Sequence, residues 1–146
     1  MPKDSAKPAK SKLTISKLKK VAFGWFSKYI RLRDCLKTSG GKDYLICITC
    51  GSPSYFKEAD AGHFKHGSEA PTYFEEDNVH GQCTKCNLYL SGRLDVYAVK
   101  LIDMIGRKRV DELEELRHVS HCWKREELEE IRDKYKQKFL ELDNGF

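Results

Sequence analysis

The chain has 146 residues, 40% of them hydrophobic and 34% charged, with a net charge of +5 at neutral pH. That length suits one domain with a modest core, and no apolar run approaches the ~20 residues of a membrane-spanning helix, so no membrane partner is expected. The charge is uneven: residues 1–42 carry 12 Lys/Arg against 2 Asp/Glu, whereas residues 43–146 carry 15 against 20.

Basic charge gathered at one end suits a polyanion, nucleic acid first. A solubilising tail or an import presequence is the alternative, the latter weakened by the lack of arginine in the arm. Residues 1–11 are rich in Pro, Ala, Ser and Lys and are expected to form a disordered basic arm. Residues 12–146 then form a single domain, with a core at 44–92 and a helical part at 93–146. Leu18, Val21, Ala22, Trp25, Phe26, Tyr29 and Ile30 recur at steps of three and four, which predicts a helix running to about Asp34. Its other face holds Lys17, Lys20, Lys28 and Arg31, suited to phosphate contact or to plain solvation. Residues 44–48 and 55–64 read as strands, 65–76 as a loop containing Pro71, and 78–82 as a strand returning antiparallel. A short helix is expected from Cys83 to about Leu90, ending at Ser91-Gly92. Two helices follow, one ending at Gly106 and one marked by Val110, Leu113 and Leu116. Leu128, Ile131, Tyr135, Phe139 and Leu142 mark a last amphipathic helix. The fold class is α+β.

Two Cys-x-x-Cys pairs, Cys47/Cys50 and Cys83/Cys86, bracket the middle of the chain. Thiolate-bound zinc takes a tetrahedron, and each pair supplies two corners from one tight turn. Two such pairs in one short segment predict a structural zinc. Two disulfides or a redox dithiol are the plainer alternatives. With no apolar signal segment the expected compartment is reducing, which disfavours disulfides, and a redox motif needs one pair rather than two. Between the pairs lie Asp60, His63, Asn78 and His80, all residue types that bind metals or move protons. Cys35 reads as a buried thiol, Trp25 and Trp123 as core, and His118, His121 and Cys122 lack a fourth metal ligand. Arg93 and the cluster Arg107, Lys108 and Arg109 suit DNA contact and solvated helix ends equally.

Strand, loop, strand and helix carrying a His, an Asn and a third metal-binding residue resemble the HNH, or ββα-metal, nucleases. Residues 59–92, with the strings DAGH and NVHGQCTKCN, resemble more narrowly the NinG/Rap family of phage recombination nucleases, over about residues 17–142. The resemblance implies a structure-specific endonuclease for branched DNA such as Holliday junctions and D-loops, working in the bacterial host cytoplasm. It gives His63 the place of the general base, Asn78 that of the residue fixing the loop, and Asn87 that of the last metal ligand. Asp60 is the best candidate for the acidic ligand. The catalytic ion, Mg²⁺ or Mn²⁺, is distinct from the zinc, and the expected products are a 5′-phosphate and a 3′-hydroxyl. Lys17, Lys20, Lys28, Arg31 and Arg93 are the expected DNA contacts, a homodimer would suit symmetric junction cutting, and recombination proteins are candidate partners. Larger relatives carry a further cysteine-containing segment ahead of the basic region, with no counterpart here, so its role does not carry over.

Strand alternation sets Asp60 and His63 on opposite faces. A bulge at Gly62 would shift the phase by one and bring them together. Without one, Asp60 is structural and His80, which shares a strand face with Asn78, stands in as ligand; the two serving together is the other alternative. Two other functions compete: a non-catalytic zinc module that binds nucleic acid, and a protein–protein adaptor using the acidic C-terminal helices.

Overall fold

The computed structural model describes residues 12–145; the expected disordered arm at 1–11 lies outside them. Helix α1 (Ile15–Thr38) opens the fold, capped by Thr14, whose hydroxyl accepts from the Lys17 amide. Two hairpins follow, β1 (Tyr44–Ile46) with β2 (Pro53–Tyr55), and β3 (Asp60–His63) with β4 (Val79–Gln82), both antiparallel. Helices α2 (Leu94–Ile105), α3 (Arg107–Leu116) and α4 (Arg125–Asn144) complete the chain. No helix among the described residues is long and apolar enough to cross a membrane.

The apolar row of α1, Leu18, Ala22, Phe26 and Ile30, recurs every four residues and is almost fully buried. It packs on Leu128 and Tyr135 of α4 and on Val79 of β4, so α1, backed by α4, covers one side of the hairpin. On the other side Phe64 packs with Tyr97 and Leu101 of α2 and with Val110 and Leu113 of α3.

Three expectations change. Helix α1 runs one turn beyond Asp34, because Asp34 is a buried anchor and not a solvated end. Its carboxylate accepts from Arg33 Nε at 2.8 Å and from the Gly81 amide at 2.7 Å. Arg33 in turn donates to the Glu76 and Val79 carbonyls, so this pair ties α1 to β4. The expected strand at 55–64 is broken by a turn at Phe56–Glu58, held by Glu58 and Ala59 amides donating to the Tyr55 carbonyl. Its first part therefore pairs with β1 and its second with β4. The segment after Cys83 is a wide turn over Lys85–Tyr89, closed by the Leu90 amide on the Lys85 carbonyl at 2.9 Å, in place of an ordinary α-helix. The loop at 65–76 holds two short 3₁₀ turns, Pro71–Phe74 and Glu76–Asn78.

Candidate functional site

The hairpin tip after β1 and the end of β4 bring the two cysteine pairs together. Gly51 takes a φ of +75°, which lets its amide turn back to the Cys47 carbonyl at 2.9 Å. The Sγ atoms of Cys47, Cys50, Cys83 and Cys86 all lie within 4.8 Å of one another. Zinc with Zn–S bonds of about 2.3 Å holds its sulfurs about 3.8 Å apart, and Cys50 Sγ lies 3.7 Å from Cys83 Sγ. The cage therefore fits a tetrahedral ion such as zinc. Burial raises the Cys50 thiol, but hydrogen bonds from Ser52 outweigh it and bring it down to about 6. An ion held by all four thiolates would have no open position for a substrate, the pattern of a structural site. All six cysteines are free, and His118, His121 and Cys122 form no second cluster; His121 instead meets Glu127 at 3.2 Å.

The cage also aims Asn87, which follows Cys86 in the wide turn. The Asn87 amide nitrogen Nδ2 donates to Asp60 Oδ2 at 3.2 Å. The β3–β4 ladder is regular, pairing Asp60 with Gln82, Ala61 with Gly81, Gly62 with His80 and His63 with Val79. There is thus no bulge at Gly62, and Asp60 and His63 stay on opposite faces of β3. The hairpin has no slack for one: the Gly62 carbonyl is held by the Tyr97 hydroxyl at 2.7 Å.

His63 is stacked between Phe23 and Tyr73, with ring centroids at 5.4 and 5.0 Å. Its Nε2 lies 3.0 Å from the Tyr73 carbonyl. A carbonyl only accepts, so Nε2 carries the proton and Nδ1 keeps its lone pair. Burial holds the imidazole below its usual value, with the bond to Tyr73 opposing and the nearby His66 reinforcing. Asn78 is fully buried. Its side chain accepts from the Lys65 amide at 2.8 Å and donates to the Lys65 and Thr72 carbonyls, both at 3.0 Å, tying the loop to the hairpin. His80 is also buried, its Nδ1 donating to the Tyr97 hydroxyl at 3.3 Å, and burial lowers its pKa to about 4. It shares the face of Asp60 but is tied to Tyr97, on the side of Asp34 and Lys100.

An open groove runs between α1 and β3, lined by Phe23, Arg31, Lys57, Asp60, Ala61 and Asn87. Arg31 is not the free surface cation expected. It donates to the Phe56 carbonyl at 2.8 Å and stacks on the Phe56 ring, facing Asp60 across the groove. Lys17, Lys20 and Lys28 are exposed on α1. Arg93 is half-buried and takes a left-handed φ of 46° ahead of α2. Arg109 is committed to Asp77, Glu75 and Glu112 and is not available to a phosphate. The sequence alone singled out neither Lys57 nor Gln82. Gln82 looked like one more strand residue, with only its place opposite Asp60 to mark it.

The family model described as Bacteriophage Lambda NinG protein matches residues 3–145. The chain is 43% identical over 102 residues to "Protein ninG" of Escherichia phage 933W, covering 69% of this chain and 50% of that protein. It is 42% identical over 102 residues to "Protein ninG" of Escherichia phage lambda, covering 69% and 49%. It is 42% identical over 99 residues to "Protein ninG" of Salmonella phage P22, covering 67% and 48%. The chain spans about half the length of these curated relatives. No solved structure matches it.

Proposed function

The chain belongs to the NinG family, and from that premise we propose that it is a metal-dependent endonuclease of HNH type, cutting branched DNA in phage recombination. The observation that carries this is the pairing of Asp60 with Asn87 at one end of β3; His63 keeps a fixed tautomer at the other end, on the opposite face of the strand. Asp60 and Asn87 offer oxygens, which suit Mg²⁺ or Mn²⁺ better than zinc. An ion bound there supplies positive charge to a scissile phosphate. His63 Nδ1 takes a proton from water, whose oxygen attacks phosphorus as the P–O3′ bond breaks and the leaving 3′-oxygen takes a proton from solvent. The products are a 5′-phosphate and a 3′-hydroxyl. Asn78 acts at one remove: by holding the Thr72 carbonyl it sets the place of Tyr73, whose carbonyl orients His63. Lys57 beside the groove, with Lys17, Lys20 and Lys28 on α1, suits the DNA backbone.

A second function, a zinc module that binds nucleic acid without cutting it, draws support from two features. Asp60 and His63 face apart, and the one group of three or more His, Cys, Asp or Glu side chains that converges among the described residues is the cysteine cage. Cutting of a four-way junction and of a linear duplex with Mg²⁺ or Mn²⁺, by wild type and Asp60→Asn, separates the two. Cutting by wild type that the variant loses supports the nuclease; binding without cutting by wild type on every substrate supports the module.

A further inference from the structure

Gln82 is fully buried, yet its Oε1 has no hydrogen-bond partner, one of two such side-chain atoms among the described residues. A buried amide oxygen without a donor is costly, so its direction is informative. That direction is fixed. Nε2 donates to the Thr49 hydroxyl at 3.1 Å and to the Gly92 carbonyl at 3.0 Å, and a carbonyl cannot be served by the other end of the amide. The Gly92 carbonyl is itself set by a run of left-handed backbone, with Ser91 at a φ of 53°, Gly92 at 83° and Arg93 at 46°. Left-handed non-glycine residues are strained, and here two of them flank the carbonyl that anchors Gln82.

The free oxygen points over Gly62. A Cβ built on Gly62 would lie 1.9 Å from Gln82 Oε1 and 3.1 Å from Asn87 Oδ1, so both oxygens border one small cradle. Asp60, the cross-strand partner of Gln82 on the same face, holds the other end of the Asn87 amide. Two amide oxygens and a carboxylate, with no side chain on Gly62 between them, are a donor set for a hard divalent cation.

We propose that Gln82 supplies, through Oε1, a third oxygen to the cation site of Asp60 and Asn87. This rests on the assignment of those two residues made above. The strained turn at Ser91–Arg93 then has a purpose: it holds the amide so that oxygen, not nitrogen, faces the ion. Gly62 is a glycine because any side chain would fill the cradle.

The test is direct Mn²⁺ binding, measured by titration calorimetry on zinc-loaded protein without DNA, for wild type, Gln82→Met, Gly62→Ala and Asp60→Asn. Circular dichroism and zinc content check the fold of each. Gln82→Met keeps the bulk and removes the oxygen; Gly62→Ala keeps the oxygen and fills the cradle, and so decides the matter if the first variant does not fold. The expected result is a loss of Mn²⁺ affinity of about 10–100-fold in both. If both bind as wild type does while Asp60→Asn loses binding, a buried water serves Oε1, the inference falls and the Asp60–Asn87 site stands. If folded wild type binds no Mn²⁺ at millimolar concentration, both fall.

Discussion

Asn78→Ala is the most informative single change outside the metal sites. The side chain closes three hydrogen bonds in a fully buried place, one from the Lys65 amide and two to the Lys65 and Thr72 carbonyls. At about 1 kcal/mol net for each bond, the truncation costs about 3 kcal/mol. Urea unfolding in zinc-replete buffer reads this as a lower midpoint with an unchanged slope. Asn78→Asp sharpens the test because it keeps shape and changes only chemistry. One carboxylate oxygen still accepts from the Lys65 amide, but the other faces two carbonyls, and only a protonated acid can donate to one of them. The folded pKa of the introduced acid is therefore raised above its unfolded value. Its contribution is present below the unfolded carboxyl value of about 3.9 and is lost as pH rises through the folded value. Relative to Asn78→Ala, the Asp variant should gain stability as pH is lowered from 7. A loss below about 1 kcal/mol for Ala, or a pH-independent gap between the two variants, would refute the account of Asn78 as the loop's anchor.

The zinc cage predicts about one zinc per chain, with loss of cooperative folding on chelation or in Cys83→Ser, because metal binding and folding are one free energy in such sites; elemental analysis and a thermal melt with and without chelator read it, and a folded zinc-free chain rejects it. His63→Gln keeps a donor for the Tyr73 carbonyl and removes the base, so it should cut junction DNA about 10²–10⁴-fold more slowly while melting near wild type; undiminished cutting rejects the assignment. Since burial lowers the His63 pKa, the base stays neutral as pH falls past its ordinary value near 6.5; the acid limb of a kcat profile should lie below that value, and a limb above it contradicts the buried imidazole. Deleting residues 1–11 removes three Lys and one Asp; each lost phosphate contact should lower the salt slope of duplex binding by about 0.9, and an unchanged slope in a titration means the arm makes none.

The parts legible in the sequence were those whose signal is local. The row Leu18, Ala22, Phe26 and Ile30 announces its helix by spacing, and two Cys-x-x-Cys pairs announce their cage. The turn at Phe56–Glu58 was not legible, since Tyr55 to Phe64 carries no Gly or Pro before Gly62 to mark the break. The break depends on Tyr55 pairing with Tyr44 while Asp60 pairs with Gln82, and those partners are set by the tertiary fold. The helix was expected to end near Asp34 because its apolar spacing stops at Ile30; only the Gly81 amide and Arg33, which come from elsewhere in the fold and from its own neighbour, make Asp34 a buried anchor. Gln82 was hidden for the same reason: its chemistry lies in what Thr49 and Gly92 do to its amide.

These clamps explain how so small a hairpin can hold polar groups in register. A two-stranded hairpin is marginal alone in water, and β3–β4 has four residue pairs. The cysteine cage fixes the chain on both sides of it at one end, while Asp34 and Arg33 fix β4 to α1 along its length, at Gly81 and Val79. Asn78 fixes the loop between the strands. Gly81 lets the sheet come close enough for this, since a Cβ there would lie 2.5 Å from Leu45 Cδ2. What remains unclamped on β3 is the side toward the groove, with Asp60, Asn87, Arg31 and Lys57 around it. The hairpin is thus held largely by groups other than Asp60 and Asn87. It follows that Asp60→Asn should melt within about 0.5 kcal/mol of wild type, as changes outside the core commonly do, whereas Asp34→Asn, which leaves the buried Arg33 guanidinium without its counter-charge, should lose several times as much.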